Sequence, residues 1–359
     1  MKKILAFLLA VMMLCTLCAC GGEKKDDTKT PETTKAPETT ESTKLPENND
    51  DDNNGNNNED VAATAKFGAA VYVSGVAATS ATEDKAGQGT ADVTGAAILL
   101  DANGKIIACD LDTMQNKVSY DFEGKAIANA EFKTKRELGD AYNMVAYGGA
   151  KSEWYAQADA FEALIVGKTI NEVKALMAEG GKGTDEVINA GCTIAITDFV
   201  AVIEKACANA TTDVAADAIV KVALSTTQSC TDATEDKDGS NQVETYVFAA
   251  AMKEDKVLSA TSDCVQVKFT FDYFGESNFD ASKAVASKRE QGDAYNMVAY
   301  GGAVAEWYAQ ADAFDAACEG KTAAEIAGLM GADYKGIDSL QAAGCTIYVS
   351  GFVAAASKI

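Results

Sequence analysis

The chain contains a long stretch of itself twice. Lys135–Phe161 reappears as Lys288–Phe314 with 24 of 27 positions identical, the exceptions being Leu138/Gln291, Lys151/Val304 and Ser152/Ala305. The same offset carries Gly167-Lys168-Thr169 onto Gly320-Lys321-Thr322, and Ala190-Gly191-Cys192-Thr193 onto Ala343-Gly344-Cys345-Thr346. Upstream it slips by two, pairing Asp112, Gln115 and Lys117 with Asp263, Gln266 and Lys268. A period of about 150 residues is the size of a domain, not of a solenoid unit. The expectation is two tandem homologous domains, 62–211 and 212–359.

Within each repeat the hydrophobic period changes once. Ala70-Val71-Tyr72-Val73, Ala96–Leu100 and Lys105–Leu111 read as strands, and Asn103-Gly104 between the last two is a hairpin signal. Trp154, Tyr155, Ala158, Phe161, Leu164 and Ile165 then fall on one helical face. Thr169-Ile170-Asn171-Glu172 and Thr322-Ala323-Ala324-Glu325 have the form of capping boxes opening short helices. Thr193–Ile196 reads as a short strand feeding a last helix over Asp198–Ala208, with Thr197, and Ser350 in the second repeat, near its N-cap. Strands first and helices afterwards predict an α+β fold, each domain an antiparallel sheet with helices following.

The N-terminus reads as an address. Met1-Lys2-Lys3 and the apolar run Ile4–Leu17 form a signal peptide over 1–19, too short for a stable membrane span. Leu17-Cys18-Ala19-Cys20 followed by Gly21-Gly22 resembles the bacterial lipoprotein box. That implies lipidation of Cys20 and anchoring, through membrane lipid, at the extracellular face of the cytoplasmic membrane of a Gram-positive cell. An ordinary secretory signal is the alternative. Residues 20–61 are rich in Thr, Glu, Lys, Asn and Asp and hold all three prolines, Pro31, Pro37 and Pro46. With almost nothing apolar to bury, they read as a disordered tether.

Composition removes several chemistries. There is no histidine, so Ser-His-Asp and Cys-His catalysis and most zinc and iron sites lack their base or ligand. A net charge of -23 argues against a nucleic-acid partner. No metal site is expected. Seven cysteines follow Cys20, and only Cys192 and Cys345 recur between the repeats. They form no shared disulfide framework and read mostly as small buried side chains.

One ordered set of motifs recurs: Glu137-Leu138-Gly139-Asp140 (with Gly292 in the second copy), Trp154 or Trp307, Gly167-Lys168, and Gly-Cys-Thr at 191–193 or 344–346. It resembles the FMN-binding domain of the Rnf and Nqr respiratory complexes and of flavin-carrying lipoproteins in Gram-positive extracellular electron transfer. The resemblance implies FMN attached through its phosphate to Thr193 and Thr346 by a flavin transferase. Gly191 and Gly344 match the motif glycine, and Cys192 and Cys345 lie beside the acceptors. It further implies an electron carrier, not an enzyme, fed by a membrane electron donor. A threonine just ahead of a helix would also set a phosphate near unpaired N–H groups.

The residues themselves leave a second class open. Gly-Cys-Thr is equally a plain turn into a strand, and Trp154 and Trp307 stand at helical spacing suited to core anchors as well as to stacking on a flavin ring. Tyr142, Tyr147, Tyr295 and Tyr300 lie in the glycine-rich, most strongly repeated loop. Asp112, Gln115 and Lys117 line either a site or a solvated edge. The rival expectation is therefore a cofactor-free, duplicated surface module that holds a peptide, glycan or solute, with duplication raising avidity.

Overall fold

A computed structural model describes residues 63–359; the expected signal peptide, Cys20 and the tether lie outside the described residues. Strand β1 (Thr64–Thr79) pairs antiparallel with β2 (Gly87–Leu100), and β2 with β3 (Ile106–Tyr120). Asp101 Oδ1 closes the hairpin at Asn103-Gly104 by accepting the N–H groups of Asn103 and Lys105, both at 2.8 Å. The third strand runs nine residues past the apolar segment Lys105–Leu111, because Asp112 to Lys117 continue the ladder. A two-residue β4 (Ala126–Ile127) completes that edge.

The helices follow: α1 (Lys135–Leu138), α2 (Trp154–Ile165), α3 (Ile170–Ala175), α4 (Asp185–Ala190) and α5 (Thr197–Ala208). The second half repeats this order. It has β5 (Thr212–Ala215), β6 (Ile219–Thr231), β7 (Gly239–Lys253) and β8 (Lys256–Phe271), then α6 (Lys288–Gln291), α7 (Met297–Gly301), α8 (Trp307–Cys318), α9 (Ala323–Ala327), α10 (Asp338–Ala342) and α11 (Ser350–Ala356). The chain is thus α+β with two antiparallel sheets, ordered β4-β3-β2-β1-β5 and β6-β7-β8. Although β5 follows residue 211, it pairs with β1 and extends the first sheet.

Both expected capping boxes are present, Thr169 with Glu172 and Thr322 with Glu325. Two more open α1 and α6, at Thr134/Glu137 and Ser287/Glu290. The expected strand at Thr193–Ile196 is reduced to a single bridge between Ala195 and Lys182. Four residues between two packed helices leave no room for a ladder. The last helices are capped by Ile196 and Val349, so Thr197 and Ser350 are their first turns and supply no side-chain cap.

The architecture has four layers. Inner faces of both sheets share one core, with Phe67, Val71, Val93 and Leu99 of the first meeting Val222, Leu224, Val247 and Phe269 of the second. The outer face of the first sheet packs Ile98, Ile106 and Leu111 on Phe161, Phe199 and Ile203 of its helices. The second sheet packs Phe248 and Val257 on Phe314 and Phe352 in the same way. Strands buried on both faces lose strict alternation, and Tyr246–Met252 reads as one continuous apolar run.

The halves meet reciprocally. Tyr120 stacks on Phe271 with ring centroids 4.1 Å apart. Ala81 N–H donates to Gly275 at 2.8 Å, while Ala233 N–H donates to Gly124 at 2.7 Å. Lys205 pairs with Glu290, and Lys358, at the matching place, with Glu137 at 2.9 Å. Each contact recurs with the partners exchanged, which is the signature of an isologous interface.

Candidate functional site

The most strongly repeated segment builds a displayed loop. After α1, Gly139 (φ 51°) turns the chain into one 3-10 turn, and Asn143 (φ 63°) reverses it again. Met144 and Val145 then point their N–H groups at one carboxylate: Glu153 accepts them at 2.8 and 3.0 Å. Glu153 is buried and sits immediately before α2, with its side chain turned back to the loop rather than onto the helix. The turn closes on itself through Tyr147 N–H to Asn143 O at 3.1 Å and Gly148 N–H to Met144 O at 3.0 Å. The result is a clamped turn whose tip, Tyr147, is 88% exposed.

The second copy is clamped in the same way, although its residues Met297–Gly301 form the short helix α7 where the first copy forms a turn. Glu306 accepts from Met297 and Val298 at 2.9 and 3.1 Å, Asn296 takes the same left-handed conformation, and Tyr300 is 89% exposed. Val145 and Val298 are also exposed beside the tyrosines. Residues 141–150 and 294–303 carry no charge. Neither Tyr147 nor Tyr300 contributes to a core, so packing does not account for their recurrence.

The other aromatic residues do different work. Trp154 and Trp307 are buried and stand edge-on or tilted to Phe199 and Phe352, with centroids 5.6 and 5.7 Å apart. A lysine covers each: Lys135 Nζ lies 5.5 Å from the rings of both Trp154 and Tyr142, and Lys288 Nζ lies 5.6 Å from Trp307 and 5.3 Å from Tyr295. These cation–π contacts are completed by Asp92 at 3.9 Å and Glu244 at 3.6 Å. Both tryptophans are thus core anchors. Burial draws the Lys135 ammonium below its ordinary pKa, with Asp92 opposing.

Thr193 and Thr346 are half-buried and already bonded. Gln157 Oε1 accepts the N–H and the hydroxyl of Thr193 at 2.7 and 2.9 Å, while its Nε2 donates to Ser152 O at 2.9 Å. Gln310 repeats this with Thr346 at 2.9 and 2.8 Å and with Ala305 O at 2.9 Å. Gly191 (φ 114°) and Gly344 (φ 107°) are the left-handed glycines that end the helices before them, and α5 begins only at Thr197.

These residues do not fit a flavin phosphoester as they stand. Esterifying either hydroxyl would remove the O–H donor to Gln157 or Gln310 and set an ester oxygen against that amide oxygen, which keeps only the backbone N–H of the same threonine. Gly139 and Gly292 turn the backbone at the helix ends, with open space where a Cβ would stand.

The remaining candidates are structural. Asp112 and Asp263 are buried rather than on a solvated edge. Asp112 accepts the N–H groups of Thr113 at 2.7 Å and Arg136 at 3.2 Å. Asp263 does the same with Cys264 and Arg289, and burial pushes both carboxyls up to about 6. All seven described cysteines are free. Cys192 and Cys345 are buried, and burial pushes their thiols up to about 11, which makes them inert at neutral pH. Cys230, exposed on β6, departs from the expected burial.

Sequence reasoning passed over Glu153, Glu306, Gln157 and Gln310. Their signal was present: polar residues identical in both copies on a helix start that otherwise carries apolar side chains inward. No family model matches the chain, and neither the curated proteins nor the solved structures contain a match to it.

Proposed function

We propose that the chain is a duplicated binding module of a lipid-anchored extracellular protein, and that it holds an uncharged glycan on the Tyr147 and Tyr300 loops. The observation that carries this is the pair of almost fully exposed tyrosines at equivalent positions, each on a loop clamped by a carboxylate, Glu153 or Glu306. Holding an aromatic ring out in water on an ordered turn forgoes its burial, which would be worth about 2 kcal/mol. Flat rings on uncharged, glycine-flanked loops suit the apolar faces of sugar rings. Pre-ordering the loop lowers the entropy lost on binding. Two such loops raise avidity for a polymer with repeated units.

The test is retention on insoluble, uncharged polysaccharide, with amorphous cellulose and chitin as probes, for the wild type and for Tyr147→Ala/Tyr300→Ala. Retention lost in the double variant supports the reading. Retention unchanged, or capture only by a peptide matrix, removes it.

The order of the repeated motifs supports a second reading, an FMN electron carrier outside the cell, against which stand the Gln157–Thr193 and Gln310–Thr346 bonds. Intact mass after co-expression with a flavin transferase separates the two. A gain of FMN, lost in Thr193→Ala and Thr346→Ala, would displace the binding-module reading.

A further inference from the structure

The two halves differ at one point of their reciprocal contact. Strand registers fix which positions correspond: Ala69 faces Ala97, which faces Asp110, while Val222 faces Ala249, which faces Thr261. On the side where β3 meets β6, Asp110 Oδ2 accepts the backbone N–H of Val222 at 2.7 Å and closes the contact. On the side where β8 meets β1, Thr261 stands in place of Asp110 and Ala69 in place of Val222. There a cleft of about 460 Å³ opens. Its apolar floor includes Phe67, Val71 and Val247, and Lys205 and Arg289 stand on its rim.

Strand β5 stops opposite Phe67, so among the described residues the edge of β1 beyond it has no neighbouring strand. The carbonyls of Ala69 and Val71 point to that edge, where they accept from Asn209 Nδ2 at 2.9 Å and Lys205 Nζ at 3.3 Å. In an antiparallel strand the N–H and C=O of one residue point the same way. The Ala69 N–H therefore faces the cleft, at the position whose twin receives a carboxylate, and Thr261 has none to give.

We propose that this cleft binds a small carboxylate with an apolar body, its carboxylate taking at Ala69 the place that Asp110 takes at Val222. The charge environment agrees. Arg136 is a favourable neighbour of the Asp110 carboxylate, and its counterpart, Arg289, lines the cleft. Of the acids that also line it, Glu290 is paired with Lys205, and Asp263 Oδ1 is taken by the N–H groups of Cys264 and Arg289. The apolar body lies on the floor, which belongs to the core shared by the sheets. None of these residues belongs to the tyrosine loops, so the cleft is a separate site.

The test uses 4-phenylbutyrate as the probe and 4-phenylbutanol as its uncharged control, followed through the backbone amide resonances of the full chain. The wild type shows saturable shifts centred on Ala69 and Val71, and the alcohol binds about tenfold or more weakly. Thr261→Asp, which brings the missing carboxylate with it, loses the probe by about tenfold or more and melts at a higher temperature. Thr261→Val, of the same size, binds as the wild type does. Absence of saturable shifts in the wild type, equal binding of the alcohol, or undiminished binding by Thr261→Asp overturns the proposal. Should Thr261→Asp fail to fold, the acid and alcohol titrations of the wild type decide it.

Discussion

Replacing Glu153 by alanine tests whether the displayed loop is held as described. Its carboxylate accepts two N–H groups at 2.8 and 3.0 Å from a buried position. Hydrogen bonds to a charged acceptor contribute about 1.5–3 kcal/mol each, and the two share one side chain, so local stabilisation of at least about 2 kcal/mol is expected. Its loss raises the open population of the loop on the order of 30-fold without unfolding the domain. Amide hydrogen exchange reads this directly: Met144 and Val145 exchange on the order of 30-fold faster in Glu153→Ala. Glu153→Gln, which keeps one uncharged acceptor, falls between. The second loop is an internal control, because Met297 and Val298 are held by Glu306 and should not change. Unchanged protection at Met144 and Val145, or an equal change at both loops, would refute the clamp.

Three further outcomes are expected. Gln157→Leu leaves the Thr193 N–H and hydroxyl and the Ser152 carbonyl without their partner, and should cost about 2–4 kcal/mol in urea unfolding; a change below about 0.5 would contradict the bonding described. Asp112 and Asp263 are raised from 3.8 to about 6 in the folded chain, so their contribution is full below about pH 4 and is lost as pH rises through 6. The urea midpoint of the wild type should accordingly fall between pH 4 and 7 more than that of Asp112→Asn/Asp263→Asn, and equal slopes would remove the assignment. A Cβ at Gly95 would stand 2.8 Å from Val222 and 3.2 Å from Val247, so Gly95→Val should cost about 1–3 kcal/mol by overpacking; a neutral effect would mean that the sheets pack less closely than described.

How much was legible in the sequence depended on whether the signal was local. The hairpin at Asn103-Gly104, the face of α2 and the boxes at Thr169 and Thr322 each rest on residues a few positions apart, and each is present. The four-layer arrangement was not legible, because Val71 and Val247 find each other only when both halves are folded. Its trace was the loss of alternation in Tyr246–Met252, a run equally compatible with other buried elements.

At the candidate site, the bond between Thr193 and Gln157 was not legible because the two residues are 36 positions apart. A glutamine repeated on an otherwise apolar helix face signals that it is held in place, but not which partner it bonds. The tyrosine loop, in contrast, was flagged by its repetition, while the carboxylate that clamps it was not.

Glycan binding as proposed needs both tyrosines, and the decisive measurement is the apparent affinity for the same insoluble polysaccharide of the wild type, Tyr147→Ala, Tyr300→Ala and the double variant. Each single variant should lose about 100-fold or more through lost avidity, and the double variant should not bind. Single variants indistinguishable from the wild type, or a double variant that still binds, would contradict it.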